Sequence, residues 1–239
     1  MAKKMYIGVD GVARKVKKAY VGVDNVARKV KKMYMGVEGV ARCIFSSGGE
    51  LSYYGTATSL KSRRGQLAGA SIGNYALFAG GYRGSSEPRV SVVIDAYDTS
   101  LTRSTPEVLS VARSRLAGAS VGNYALFAGG YTHGSPEYTS MVDAYDASLT
   151  RSTPEALSAS RCQLGGGSVG GYALFASGRK DSSVKDVDAY DTSLTRSLPT
   201  RVSQSRADLV GVTLGNFVLF GGGYYSQYTD SPVDVYQIS

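Results

Sequence analysis

The chain has 239 residues, 43% of them hydrophobic, with 30 glycines and two cysteines, and it carries 27 lysines and arginines against 19 acids. This balance suits a turn-rich all-β protein of one large or two small domains. No apolar run approaches the roughly 20 residues that cross a bilayer, and the opening MAKKMYIGVDG lacks the apolar stretch of a secretory signal, so the sequence predicts synthesis in a cytoplasm and no membrane insertion.

The charge is concentrated at one end. Residues 1–44 hold 11 of the 27 bases and 3 of the 19 acids (Asp10, Asp24 and Glu38), so they account for the whole net charge of +8. The same segment repeats every 14 residues, as KKMYIGVDGVARKV, KKAYVGVDNVARKV and KKMYMGVEGVARCI. Asp10-Gly11, Asp24-Asn25 and Glu38-Gly39 each separate two Val-flanked, β-prone runs, which predicts hairpins joined into a meander of short strands. Neither face of such a strand is cleanly apolar: Val12 and Val16 share one face with Arg14 and Lys18. So small a sheet buries too little to be stable alone and needs a further chain or domain to lean on. Lys17, Lys18, Lys31 and Lys32 are the candidate attachment residues. Beside Tyr6, Tyr20 and Tyr34 they also suit phosphate neutralisation, although no nucleic-acid-binding motif accompanies them. Lysines on exposed strands serve equally to prevent uncontrolled pairing.

From residue 45 a longer repeat takes over. LAGASIGNYALFAGGY, LAGASVGNYALFAGGY, LGGGSVGGYALFASGR and LVGVTLGNFVLFGGGY begin at Leu67, Leu116, Leu164 and Leu209, spaced 49, 48 and 45 residues apart. A period near 50 with about four short strands predicts one propeller blade per repeat. In the second copy the strands are read as LAGASV, then YALFAGG after a Gly-first turn at Gly122-Asn123, then SMVDAYD after a variable loop, and SLTRS after a turn at Ala147. The first of these is rich in Ala, Gly and Ser, as strands converging on an axis require.

Each copy also carries an arginine (Arg64, Arg113, Arg161, Arg206), a Gly-Gly pair (Gly80-Gly81, Gly129-Gly130, Gly222-Gly223) and a later tyrosine (Tyr97, Tyr145, Tyr190, Tyr236). In these features residues 50–239 resemble the kelch repeat. The resemblance implies a four-bladed kelch-like β-propeller over residues 45–239, after an N-terminal β-hairpin repeat segment over 1–44. The third copy departs from the pattern with Ser177-Gly178, and the tryptophan of the kelch blade is absent throughout. The last copy stops short of a fourth strand, while ELSYYGTATSLKSRR before the first copy aligns with SLTRSTPEVLSVAR so that Leu60 matches Leu109 and Leu157. Residues 51–55 are therefore expected to supply the missing outer strand and close the ring.

Catalysis is not expected, since the one histidine, His133, has no recurring acid or thiol around it, and the Gly-rich GGY segments lack the Gly-Lys-Ser/Thr ending of a phosphate loop. No cofactor is implied. Cys43 and Cys162 fall in different repeats without paired spacing, so neither a disulfide framework nor a metal cluster is indicated. Asp95, Asp143, Asp188 and Asp234 recur once per blade. They suit either an oxygen-ligand cation site or, as the reading preferred here, bonds to the backbone or the repeated arginines.

The copies differ most between strands two and three: YRGSSEPRVS, YTHGSPEYTS, RKDSSVK and YYSQYTDSP. Diversified loops on a rigid scaffold are where binding resides. Alternating strand directions place all four loops on one face, where Tyr82, Tyr131, His133, Tyr138, Tyr224, Tyr225 and Tyr228 are the candidate ligand-binding residues, suited to sugars or protein surfaces. The KKxYxGVxGVARKVKK units are similar to those that open structural and tail proteins of phages and prophages of Gram-positive bacteria. That resemblance implies a virion location, contacts with other virion proteins through residues 1–44, a homo-oligomer, and a propeller presented to a host glycan or protein. The alternative is an intracellular protein-interaction propeller whose basic N-terminal segment binds nucleic acid.

Overall fold

The computed structural model describes residues 53–85, 87–182, 184–224 and 232–238, together with the backbone of six strands between residues 6 and 46. The chain divides into two compact units at Gly55/Thr56, eleven residues beyond the border read from composition. No helix among the described residues is long and apolar enough to cross a membrane.

The first unit consists of β1 (Tyr6–Val9), β2 (Val12–Lys15), β3 (Tyr20–Val23), β4 (Val26–Lys29), β5 (Lys32–Val37) and β6 (Val40–Ser46). Val9 pairs with Val12, Val23 with Val26 and Val37 with Val40, so each 14-residue copy makes the predicted antiparallel hairpin with two residues between its strands. Among the described residues the hairpins are three separate two-stranded sheets, where the sequence predicted one continuous meander. Lys17, Lys18 and Lys31 lie outside the described residues; Lys32 opens β5, its backbone opposite Ser46.

The second unit is four antiparallel sheets in sequence order. Sheet one contains β7 (Ala68–Ile72), β8 (Tyr75–Ala79), β9 (Ile94–Tyr97) and β10 (Arg103–Ser104). Sheet two contains β11 (Ala117–Val121), β12 (Tyr124–Ala128), β13 (Val142–Asp146) and β14 (Arg151–Ser152). Sheet three contains β15 (Gly165–Val169), β16 (Tyr172–Ala176), β17 (Val187–Asp191) and β18 (Arg196–Ser197), and sheet four contains β19 (Val210–Leu214), β20 (Phe217–Gly221) and β21 (Asp234–Gln237). Four repeated up-and-down sheets make an all-β unit compatible with a four-bladed β-propeller. The first two strands of each sheet join through Gly73, Gly122, Gly170 or Gly215, all at positive φ, as a Gly-first hairpin turn requires.

Period-2 alternation gives every sheet two apolar faces, and successive sheets pack face to face. Leu126, Ala128, Val142 and Ala144 of sheet two receive Ala173, Phe175 and Tyr190 of sheet three. Equivalent residues form the core between sheets one and two, and between three and four. The inner strands come close enough that a Cβ on Gly118, Gly166 or Gly211 would collide with the carbonyl of Gly69, Gly118 or Gly166 respectively, which explains the small residues of the repeat.

Each repeat is pinned by one buried ion pair. Arg64 Nη2 lies 2.6 Å from Asp95, Arg113 2.7 Å from Asp143 and Arg161 2.6 Å from Asp188, all with 0% side-chain exposure; Arg206 pairs with Asp234. The repeated tyrosines donate to the connector ahead of their sheet: Tyr97 to Thr58 O, Tyr145 to Glu107 O, Tyr190 to Glu155 O and Tyr236 to Thr200 O. The connector before sheet one thus matches the others, as the alignment of Leu60 with Leu109 predicted. The expected closing strand over 51–55 is not observed among the described residues, which include 53–55; Leu51 and Ser52 lie outside them. Sheet four has three strands among the described residues, Tyr53 and Tyr54 are 84% and 90% exposed in no strand, and Gly55 has a φ of 129°, outside strand geometry.

Candidate functional site: the loop face

After each Gly-Gly pair, and after Ser177-Gly178, the backbone makes a short bridge to the connector ahead of its sheet, at Gly65–Tyr82, Ser114–Tyr131, Cys162–Arg179 and Ala207–Tyr224. Tyr82 is also bridged to Val90, and Tyr131 to Tyr138, across their own loops. The first residue of each loop is therefore held on the rigid scaffold before the sequence diverges. Gly129 shows why the pair is needed: its φ is 64°, and a Cβ there would come within 2.5 Å of Arg161 O. Ser177 keeps the same left-handed backbone (φ 57°), offset by its hydroxyl, which bonds Arg206 O at 2.7 Å.

The loops of sheets one and two meet through aromatic rings. His133, itself at φ 59°, stacks on Tyr82 (centroids 5.1 Å, planes 16° apart) and meets Tyr131 edge-on at 4.5 Å. Tyr138 packs on Tyr131 at 5.5 Å, and the Arg115 guanidinium lies 5.8 Å from the Tyr131 ring centre. Tyr131 Oη bonds a Glu137 carboxylate oxygen at 3.1 Å, and that bond holds the phenol above its usual range. Burial pushes the Tyr138 phenol in the same direction. Both phenols stay protonated at neutral pH as hydrogen-bonding groups.

Three depressions flank the cluster. One of about 740 Å³ is lined by Ser62–Gly65 and Tyr82–Ser85. A second, about 280 Å³, runs between Glu137, Tyr138, Ser160 and Lys180. The third, about 370 Å³, is lined by the leucines that open the repeats and by Gln66, Arg115, Gln163 and Asp208. Those four polar residues share a left-handed backbone and form a ladder: Arg115 N–H donates to Gln66 O, Gln163 N–H to Arg115 O and Asp208 N–H to Gln163 O, at 2.8–2.9 Å. The sequence reading overlooked them; the signal was the polar residue directly before every anchor leucine.

Of the predicted ligand-binding residues, the structure brings Tyr82, Tyr131, His133 and Tyr138 together. Tyr224, bridged to Ala207, is 68% exposed and makes no ring contact with the cluster among the described residues, and Tyr225 and Tyr228 lie outside the described residues. The repeated aspartates are engaged by arginines within their own sheets: Arg103, Arg151 and Arg196 take the second carboxylate oxygen of Asp95, Asp143 and Asp188. The repeated arginines are one of the two partners that the sequence suggested for these aspartates; backbone N–H groups of Lys61, Ser110, Ser158 and Ser203 are the other.

Topology and site together define an all-β repeat protein with a preorganised aromatic surface. No family model matches the chain, and no curated protein matches it.

Proposed function

We propose that this is a non-enzymatic, virion-associated binding protein of a phage or prophage, in which residues 1–44 mount the chain on other virion proteins. Residues 45–239 supply the four blades of a kelch-like propeller and present their loop face to a host glycan or surface protein. The observation that carries the reading is the stack Tyr82–His133–Tyr131–Tyr138. Two loops that differ in sequence meet there through rings with polar tips, beside the Arg115 cation, on a scaffold that fixes them before any ligand arrives. Such rings bury large area on binding at little entropic cost.

A glycan array and a pull-down on Gram-positive cells, run with wild type and with Tyr131→Ala/His133→Ala, test it. The variant is expected to lose at least tenfold in affinity, the order typical of a central aromatic contact. Undiminished binding would move the site off this cluster, and salt-sensitive binding of nucleic acid alone would favour the intracellular alternative.

A further inference from the structure

Sheet four presents an apolar face that the other sheets keep covered. Val210, Val212, Leu214, Val233 and Val235 are 54–65% exposed, whereas the matching Ala117, Ala119, Val121, Val142 and Ala144 of sheet two are all at or below 6%. Sheet one shows the converse on its opposite face. Ala76 is exposed and Phe78 half-buried, where the matching pairs Ala125/Phe127, Ala173/Phe175 and Val218/Phe220 are fully buried under the preceding sheet. The ladder of inner-strand bonds stops at the same two places, running from Gln66 to Asp208 without a bond that returns from Asp208 to Gln66.

We propose that these faces are the two halves of one intermolecular junction: the outer face of sheet four receives the outer face of sheet one from a second copy of the chain, head to tail. The junction continues an interface the molecule already builds three times, with the giving half at one end and the receiving half at the other. Volume distinguishes a second copy from the chain's own first sheet. Val210, Val212 and Val235 stand where the internal junctions hold alanine or glycine. The junction between sheets three and four offsets its extra bulk, since Val218 packs over Gly167, where a Cβ would strike its methyl. Ala76 and Phe78 are no smaller than their counterparts and offset nothing. A ring of only four sheets demands the sharpest turn and the tightest inner strands, so valines on β19 resist closure within one chain. Between two molecules the junction is free to open and accept them.

The contact is heterologous, with different surfaces on the two copies, and that property makes it testable by complementation. Full-length Val212→Glu and Ala76→Glu are each expected to cut the wild-type sedimentation mass at least twofold, and an equimolar mixture to regain the paired species, since each variant keeps the half the other lacks and one intact junction joins them. Assembly through residues 1–44 is common to every sample, so the differences report the faces. Both positions are exposed in the single chain, so circular dichroism of the variants should stay unchanged and Tm should fall only by what the lost junction contributes. A loss from Val212→Glu alone, with no recovery on mixing, would show that the valine face pairs with itself and overturn the proposal. Unchanged mass in both variants would overturn it in favour of closure within one chain.

Discussion

Replacing Asp143 by alanine tests the buried ion pairs that hold the repeats. The carboxylate accepts from Arg113 Nη2 at 2.7 Å, Arg151 Nη1 at 3.2 Å and Ser110 Oγ at 3.0 Å, with no exposure of its own. Burial pulls the Arg113 guanidinium below its usual range and Asp143 opposes that pull. Without the carboxylate the guanidinium keeps only the carbonyls of Val111 (3.3 Å) and Phe127 (3.0 Å), and its Nε has no partner to begin with. Breaking one side of a buried pair costs about 3–5 kcal/mol. At about 2–4 °C per kcal/mol for a domain of this size, Tm should fall on the order of 10 °C. Asp234→Ala in sheet four is the internal control. Its carboxylate is 13% exposed, and no outer-strand arginine among the described residues reaches it, so about half that loss is expected from weaker desolvation. Urea unfolding followed by circular dichroism measures both. If Asp143→Ala cost less than about 1 kcal/mol, or no more than Asp234→Ala, the account of these pairs as structural pins would be wrong.

Acid should destabilise the second unit through the Arg64–Asp95 pair. Burial alone would raise the Asp95 carboxyl, but the hydrogen bonds from Arg103 and Arg64 outweigh it and hold it below its usual range. Below about pH 4 the unfolded chain binds a proton that the folded one does not, so stability present above that pH declines as pH falls through the folded value, a slope that Asp95→Asn should flatten in urea titrations. Burial pushes the Cys162 thiol up to about 11, so in a Cys43→Ser variant a thiol reagent at pH 8 should react only after denaturant is added. Tyr145→Phe removes the 2.9 Å bond to Glu107 O and should cost about 1 kcal/mol, while Gly129→Ala, forced against Arg161 O at positive φ, should cost more; thermal melts rank the two.

Much of this architecture was legible in the chain. The spacing of Leu67, Leu116, Leu164 and Leu209, the Gly-first turns and the alternation around YALFA set strand boundaries to within a few residues, because turn chemistry and period-2 burial act over neighbouring positions. That the repeated aspartates bond to the backbone or the repeated arginines was legible too, since a charge recurring in every copy of a buried pattern requires a partner recurring with it. What the tertiary structure alone decided lies between copies. Tyr82 and His133 stack across 51 residues of chain, Gln66 and Arg115 join through a ladder no local signal announces, and Val210, Val212 and Val235 look like ordinary strand residues until the sheet that would cover them is absent. Repetition specifies each sheet, because every copy meets the same local constraints. Among the described residues of the second unit no sheet covers the outer faces of the first and last sheets, and the burial of such faces depends on packing between residues far apart in the chain, which periodicity does not encode.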